Sequence, residues 1–248
     1  FLHGSNGLGK THLLQSLCYS LLERTPHTRI LYLSCETFVN HFISALEDGD
    51  TQLAASVVGG DLQVNALELN LDEECSRILA RRQPAAGDLR LIFAVIKTVT
   101  DLERIGDQAE RVARTVLELA NAEPGRSRPT MRHMGDLARR LLNKALDAFA
   151  RMDVAAALEV EREDLAVDKE YEAILRQLVT YMMEDPRTIT WALNLVWAAR
   201  ALERIGDHSK NIAEYVIYLV QGKDVRHVSI EERERQVRGD LSAQPPTA

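Results

Sequence analysis

A mainly all-α protein built on a duplicated helical unit is the fold that this sequence predicts, and three observations carry that prediction. The hexapeptide Leu-Glu-Arg-Ile-Gly-Asp occurs twice, at Leu102–Asp107 and at Leu202–Asp207. Six identical residues one hundred positions apart indicate an internal repeat. The composition is 46% hydrophobic but only 5% aromatic, with 13 Gly and 7 Pro in 248 residues, the profile of a helical chain rich in Ala, Leu, Glu and Arg. Beyond about Glu47 the apolar residues keep helical spacing and no strand pattern appears.

The elements follow in order. Residues 1–46 read differently from the rest. An apolar start leads into a glycine-rich turn at 4–11, then Thr11–Arg24 has helical periodicity and Pro26 stops it. Arg29–Ser34 is a short β-type run and Glu36–Leu46 is helical again. Strand, loop, helix, strand, helix is the opening of an α/β fold. From 47 to 121 a first helical unit is expected: Thr51–Arg82 with a soft spot at Gly59-Gly60, a turn at Pro84 and Gly87, and a long helix from an Asp88 N-cap to about Asn121. That helix is roughly 50 Å long. Residues 122–130 (AEPGRSRPT from 122) form a linker by composition. A second unit, 131–222, reads as helices Met131 to about Val154, Leu158–Met183 and Ile189–Gln221, with a turn at Asp185-Pro186 and a stop at Gly222. In the tail 223–248, the part from Arg233 is charged and then Gly/Ser/Pro-rich, and reads as disordered.

Bulk properties exclude several classes. The net charge of −7 argues against a duplex-DNA face. Cys18, Cys35 and Cys75 are odd in number and lack metal-ligand spacing, which suits reduced thiols in a cytosolic protein. No apolar run reaches the ~18 residues that a membrane span needs. The chain opens at Phe1, not Met, and carries no signal-peptide pattern.

The repeat also carries acids. Glu103 with Asp107, and Glu203 with Asp207, stand at i, i+4, side by side on a helix face. The preceding helices carry Asp61, Asn65 and Glu68 in the first copy, matching Asp164, Asp168 and Tyr171 in the second, with Glu172 adjacent. Antiparallel packing would bring Asp61 and Glu68 toward Glu103 and Asp107, and Asp164 and Asp168 toward Glu203 and Asp207. Such oxygen-rich clusters suit Mg²⁺, Ca²⁺, Mn²⁺ or iron. His208 and Asn211 could add contacts to the second. No His stands at Glu-x-x-His spacing, so the di-iron carboxylate pattern is not met. The competing reading is a solvated face whose acids pair with Arg104, Arg111 or Arg114. Retention of the acids in both copies favours a shared role.

These residues carry a resemblance. LERIGDQAERVAR, ALERIGDHSKNIAEYVIYLVQGKDVRH, ARRQPAAGDLRLIFAVIKT, LDAFARMD and RQLVTYMMEDPRTI resemble the PhoU family of phosphate-signalling regulators, from about Ala45 to His227. The resemblance implies tandem three-helix bundles, the first lacking its own N-terminal helix here. It implies a cytoplasmic, often dimeric protein that links the phosphate transporter ATPase to a sensor histidine kinase and is not an enzyme. It also implies metal on acidic motifs, which fall on Glu103, Asp107, Glu203, Asp207, Asp164 and Asp168. In the fourth motif, Asp61…Asn65, Asn replaces the second acid.

The first segment carries a different signal. Gly4-Ser5-Asn6-Gly7-Leu8-Gly9-Lys10-Thr11 is a complete phosphate-loop pattern between an apolar start and a helix. Backbone N–H groups at Gly4, Gly7 and Gly9 would cradle phosphate, Lys10 would reach the β/γ-phosphates and Thr11 would ligate Mg²⁺. Residues 1–46 resemble the AAA+ region of the replication initiator DnaA. No strand ending in paired acids follows, so ATP·Mg²⁺ hydrolysis is not expected. The chain therefore reads as chimera-like. A PhoU-like regulator is the leading reading. An incomplete ATP-binding P-loop protein related to replication is the alternative, and a purely structural helical protein is the third.

Overall fold

The computed structural model describes residues 41, 44–45, 49–82, 84–122, 131–225, 228, 231–233 and 235. Five long helices make up nearly all of this: α1 (Thr51–Arg82), α2 (Ala86–Ala122), α3 (Arg132–Arg151), α4 (Val154–Glu184) and α5 (Ile189–Gln221), with a 3₁₀ turn at Pro186–Thr188. The predicted P-loop fragment and its strand at 29–34, and the linker from 123 to 130, lie outside the described residues. His41, Ser44 and Ala45 are helical, as the Glu36–Leu46 reading requires.

Each helix end has a local cause. The Asp50 carboxylate accepts the N–H groups of Gln52 (2.9 Å) and Leu53 (3.0 Å), which opens α1. Gly59 and Gly60 do not interrupt it. Helix α2 begins two residues before the expected cap, so Asp88 lies within its first turn and favours the positive end of the helix dipole there. At 37 residues α2 is about 55 Å long. The joint between α3 and α4 is tighter than its sequence indicates. Met152 takes left-handed backbone (φ 53), and the Asp153 side chain accepts the Ala156 N–H at 3.0 Å to cap α4. The turn after α4 closes through Thr188, whose hydroxyl donates to the carbonyls of Tyr181 (3.1 Å) and Asp185 (2.7 Å). Gly222 ends α5 with φ 70 and its N–H on the Tyr218 carbonyl at 2.8 Å, as expected.

Helices α3, α4 and α5 pack on one another as a complete three-helix bundle, α1 packs on α2, and α2 packs against α5. The two long repeat helices therefore form the seam between the two units. The hexapeptide is amphipathic at i, i+3. Leu102, Ile105, Leu202 and Ile205 are buried, whereas Glu103 and Glu203 are half-buried. On the α3–α4 face Lys144 spans to Glu159 (2.6 Å) and Glu163 (2.7 Å).

Candidate functional site

In the second bundle the four predicted acids lie near enough across α4 and α5 to repel one another. Asp164 projects from α4 against α5 at Gly206, where a Cβ would lie 3.0 Å from its Oδ1. Glycine is what lets the helix backbone approach the carboxylate so closely. Asp164 is 2% exposed, and its Oδ2 is 3.3 Å from the Lys210 ammonium. Burial pushes the Asp164 carboxyl up to about 6, with repulsion from Asp168 and Asp207 adding to it and Lys210 opposing. Glu203 is also pushed up, first by burial and then by Asp207, with Asp168 contributing. Arg200 opposes from 2.7 Å, on Oε1. Arg204 stands 3.5 Å from Asp207. The second carboxylate oxygen of Glu203, Oε2, is buried and has no hydrogen-bond partner among the described residues.

The first bundle holds a sparser version. Burial raises the Glu68 carboxyl, followed by repulsion from Asp72 and Asp107, while Arg104 lowers it. Glu68 and Asp107 thus lie near enough across α1 and α2 to repel each other. Asp72 joins them unforeseen, although its i+4 relation to Glu68 was the available signal. Glu103 is half-buried on α2, and Asp61 lies in α1 with its side chain outside the described residues. Gly4, Gly7, Gly9, Lys10 and Thr11 lie outside them too.

Among the described residues, no three His, Cys, Asp or Glu side chains are drawn into one metal-holding group. The donor chemistry nevertheless fits a hard cation in the second bundle: carboxylates that repel one another, and an orphaned buried oxygen on Glu203. Lys210, Arg200 and Arg204 supply the positive charge in the meantime. A metal ion would compete with these cations.

His208 and Asn211 do not join that cluster. Both turn the other way, to Asp101 of α2, which sequence analysis did not single out. The Asp101 carboxylate takes His208 Nδ1 at 2.8 Å, Asn211 Nδ2 at 3.3 Å and the Tyr215 hydroxyl at 2.8 Å. An ionised Asp101 selects the His208 tautomer with the proton on Nδ1. Asp101 and His208 are 2% and 3% exposed, so this is a buried polar tie across the seam. The Lys97 ammonium lies 5.4 Å from the centre of the Tyr215 ring and 6.0 Å from that of Tyr218, at one end of the tie. The signal lay in the repeat itself: the residue before the hexapeptide is Asp101 in one copy and Ala201 in the other.

Cys75 is a free, buried thiol pushed up to about 11 by burial. No described helix is long and apolar enough to cross a membrane.

Comparison with known proteins places this geometry. The PhoU domain model matches residues 30–116 and 131–216, one match per repeat. A model of the bacterial DnaA ATPase domain matches residues 1–58. The two overlap, so the resemblance to PhoU reaches further toward the N-terminus than Ala45. Among curated proteins, the phosphate-specific transport system accessory protein PhoU homolog of Pseudomonas aeruginosa is 49% identical over 230 residues, 92% of this chain and 95% of that one. The corresponding PhoU protein of Escherichia coli K12 is 46% identical over 197 residues, covering 79% of this chain and 82% of its own. The crystal structure of PhoU from Pseudomonas aeruginosa superposes with a TM-score of 0.77 at 52% identity, covering 82% of this chain and 98% of that one. That of the phosphate transport system regulatory protein PhoU from Streptococcus pneumoniae gives 0.76 at 25% identity, with 84% and 98% covered. With both repeats matched, and the bundles superposing on solved relatives, the chain belongs to the PhoU family.

Proposed function

We propose that this protein is an accessory regulator of phosphate-specific transport and of the phosphate-starvation response, acting through protein–protein contacts and not through catalysis. The observation that carries the reading is the match to both repeats, with 49% identity to a curated phosphate-transport accessory protein over 95% of that protein's length. Its partners on this reading are the phosphate transporter ATPase and a sensor histidine kinase, both met in the cytoplasm, and it acts as a homodimer. The experiment is complementation of a strain lacking the regulator. Restored repression of a phosphate-starvation reporter is expected; unrelieved expression in the presence of phosphate, at normal protein levels, refutes the reading.

Metal belongs to the same proposal. Asp168, Glu203 and Asp207, with Asp164 behind them, would hold a divalent or iron-type cation. Glu68 and Asp107, with Glu103 and Asp61, would form the weaker counterpart. The cation would supply charge neutralisation at a surface that now relies on arginine and lysine. Elemental analysis of purified protein checks this, with Asp207→Ala as the control that should lose metal.

The DnaA match over residues 1–58 supports a second, narrower reading, nucleotide binding at Gly4, Gly7, Gly9, Lys10 and Thr11. Titration with ATP·Mg²⁺ tests it. Binding that Lys10→Ala abolishes is the expected outcome, and no binding refutes it.

A further inference from the structure

The residues that follow α5 make a contact that neither the regulatory reading nor the acidic motifs use. Arg233, at which the tail was expected to become disordered, is 3% exposed. Its guanidinium lies between two carboxylates on different helices, Glu161 of α4 and Glu214 of α5. Nη1 meets Glu161 Oε1 and stands 3.0 Å from Glu214 Oε1. Nη2 donates to the carbonyl of Val225 and, at 3.2 Å, to that of Val228. Glu161 is 0% exposed and Glu214 is 6% exposed.

Two glutamates buried this deeply in one groove repel each other and lack water. Such a pair stays ionised only with a cation between them; otherwise one carboxyl takes up a proton. Burial raises the Glu161 carboxyl, and Arg233 is the strongest of the influences that pull it back. The neighbouring cation, Lys210, is already engaged by Asp164 at 3.3 Å. The burden therefore falls on Arg233. Nη1 pairs by charge with both carboxylates while Nη2 donates to both carbonyls, a division between two nitrogens of one plane that a single ammonium cannot make. Neither Glu161 oxygen has a hydrogen-bond donor among the described residues, and Arg233 Nε and Nη1 are likewise unmatched, so the seat holds its charges together with hydrogen-bonding capacity to spare on both sides.

The geometry points to a guanidinium-binding seat between α4 and α5, formed by Glu161 and Glu214 and filled in cis by Arg233. Arg233 is then a plug. Its withdrawal opens an acidic, largely dry pocket in the second bundle that selects guanidinium over ammonium.

The test is chemical rescue in the full-length protein. Arg233→Ala removes the cation and leaves both acids buried, and a fall in Tm of about 10 °C is expected. Millimolar methylguanidinium chloride, against sodium chloride at equal ionic strength, should recover at least half of that fall. Methylammonium chloride should not, and neither salt should raise the Tm of the native protein. In Arg233→Ala combined with Glu161→Gln and Glu214→Gln, the stability should return without added cation and the methylguanidinium effect should vanish. Three results overturn the proposal: an unchanged Tm in Arg233→Ala, a fall that methylguanidinium leaves uncorrected, or equal rescue by methylammonium. If Arg233→Ala yields no folded protein, it is purified in methylguanidinium chloride and in methylammonium chloride; folded protein in the first alone supports the seat, and folded protein in neither or in both overturns it.

Discussion

Replacing Asp101 by alanine tests whether the seam between the bundles depends on one carboxylate. The change strips the acceptor from three donors of α5. His208 is almost wholly buried, so its Nδ1–H has no water to turn to and loses a charge-assisted bond, about 2 kcal/mol. Tyr215 is half-buried and reaches solvent more easily, about 1 kcal/mol, and the longer 3.3 Å contact from Asn211 adds less. Relief from burying the Asp101 charge offsets part of the loss, leaving a net cost of roughly 3 kcal/mol. For a chain of this length that lowers Tm by about 10 °C. Urea and thermal unfolding followed by circular dichroism measure it, and Tyr215→Phe completes a double-mutant cycle with a coupling of about 1 kcal/mol. A cost below ~0.5 kcal/mol for Asp101→Ala, or strict additivity with Tyr215→Phe, refutes the idea that this tie holds the seam.

Asp164 gives a pH signature. Its folded-state carboxyl, at about 6, lies above its ordinary 3.8. The folded state therefore binds the proton more tightly, and the stability from this group is full below about pH 4 and is lost as pH rises past 6. In chelator-treated protein, Asp164→Asn should match the native chain at pH 4 and exceed it at pH 7 by up to about 3 kcal/mol, two units at 1.36 each; urea unfolding across that range checks this, and equal stabilities at pH 7 would contradict it. Gly206→Ala presses a methyl within 3.0 Å of Asp164 Oδ1 and within 3.4 Å of Val167 Cγ1, so a loss of about 1–2 kcal/mol is expected despite the better helix propensity of alanine. Gly59→Ala meets nothing within 4 Å and should stabilise α1 by up to about 1 kcal/mol, and the two glycine variants run side by side in a thermal melt should shift in opposite directions. Manganese at about one hundred times its dissociation constant should stabilise the native chain by about 2.7 kcal/mol. That gain should disappear in Glu203→Gln/Asp207→Asn, and its persistence there would place the metal elsewhere.

Much of this architecture was legible because helical spacing and helix stops are local properties. The hexapeptide marked the two seam helices, and Gly222 ended α5 where a left-handed residue is cheapest. The i, i+4 spacing within α4 and α5 set the acids of the second bundle on facing sides, near enough to repel one another. What escaped lies in contacts between distant positions. Asp101 finds its donors 107 to 114 residues away, and no periodicity relates them. His208 and Asn211 sit beside Asp207 in sequence but point to another helix. Arg233 has the composition of a solvated tail, and only the two acids of α4 and α5 make its burial favourable. The α3–α4 break was expected between Val154 and Leu158 and falls a few residues earlier, because Met152 adopts the left-handed backbone that sequence rules reserve for glycine and asparagine.

The duplicated helices are alike in their apolar faces and unlike at one position. Where α2 carries Asp101, the equivalent residue of α5 is Ala201, and only α5 carries the His208, Asn211 and Tyr215 that answer an acid. Lock and key therefore sit on separate copies of one ancestral helix. If α5 paired with the α5 of another chain, the buried His208 ring would face alanine in place of the carboxylate that answers it. The two halves of the repeat are thus not interchangeable at this position: the acid sits on one copy and its donors on the other.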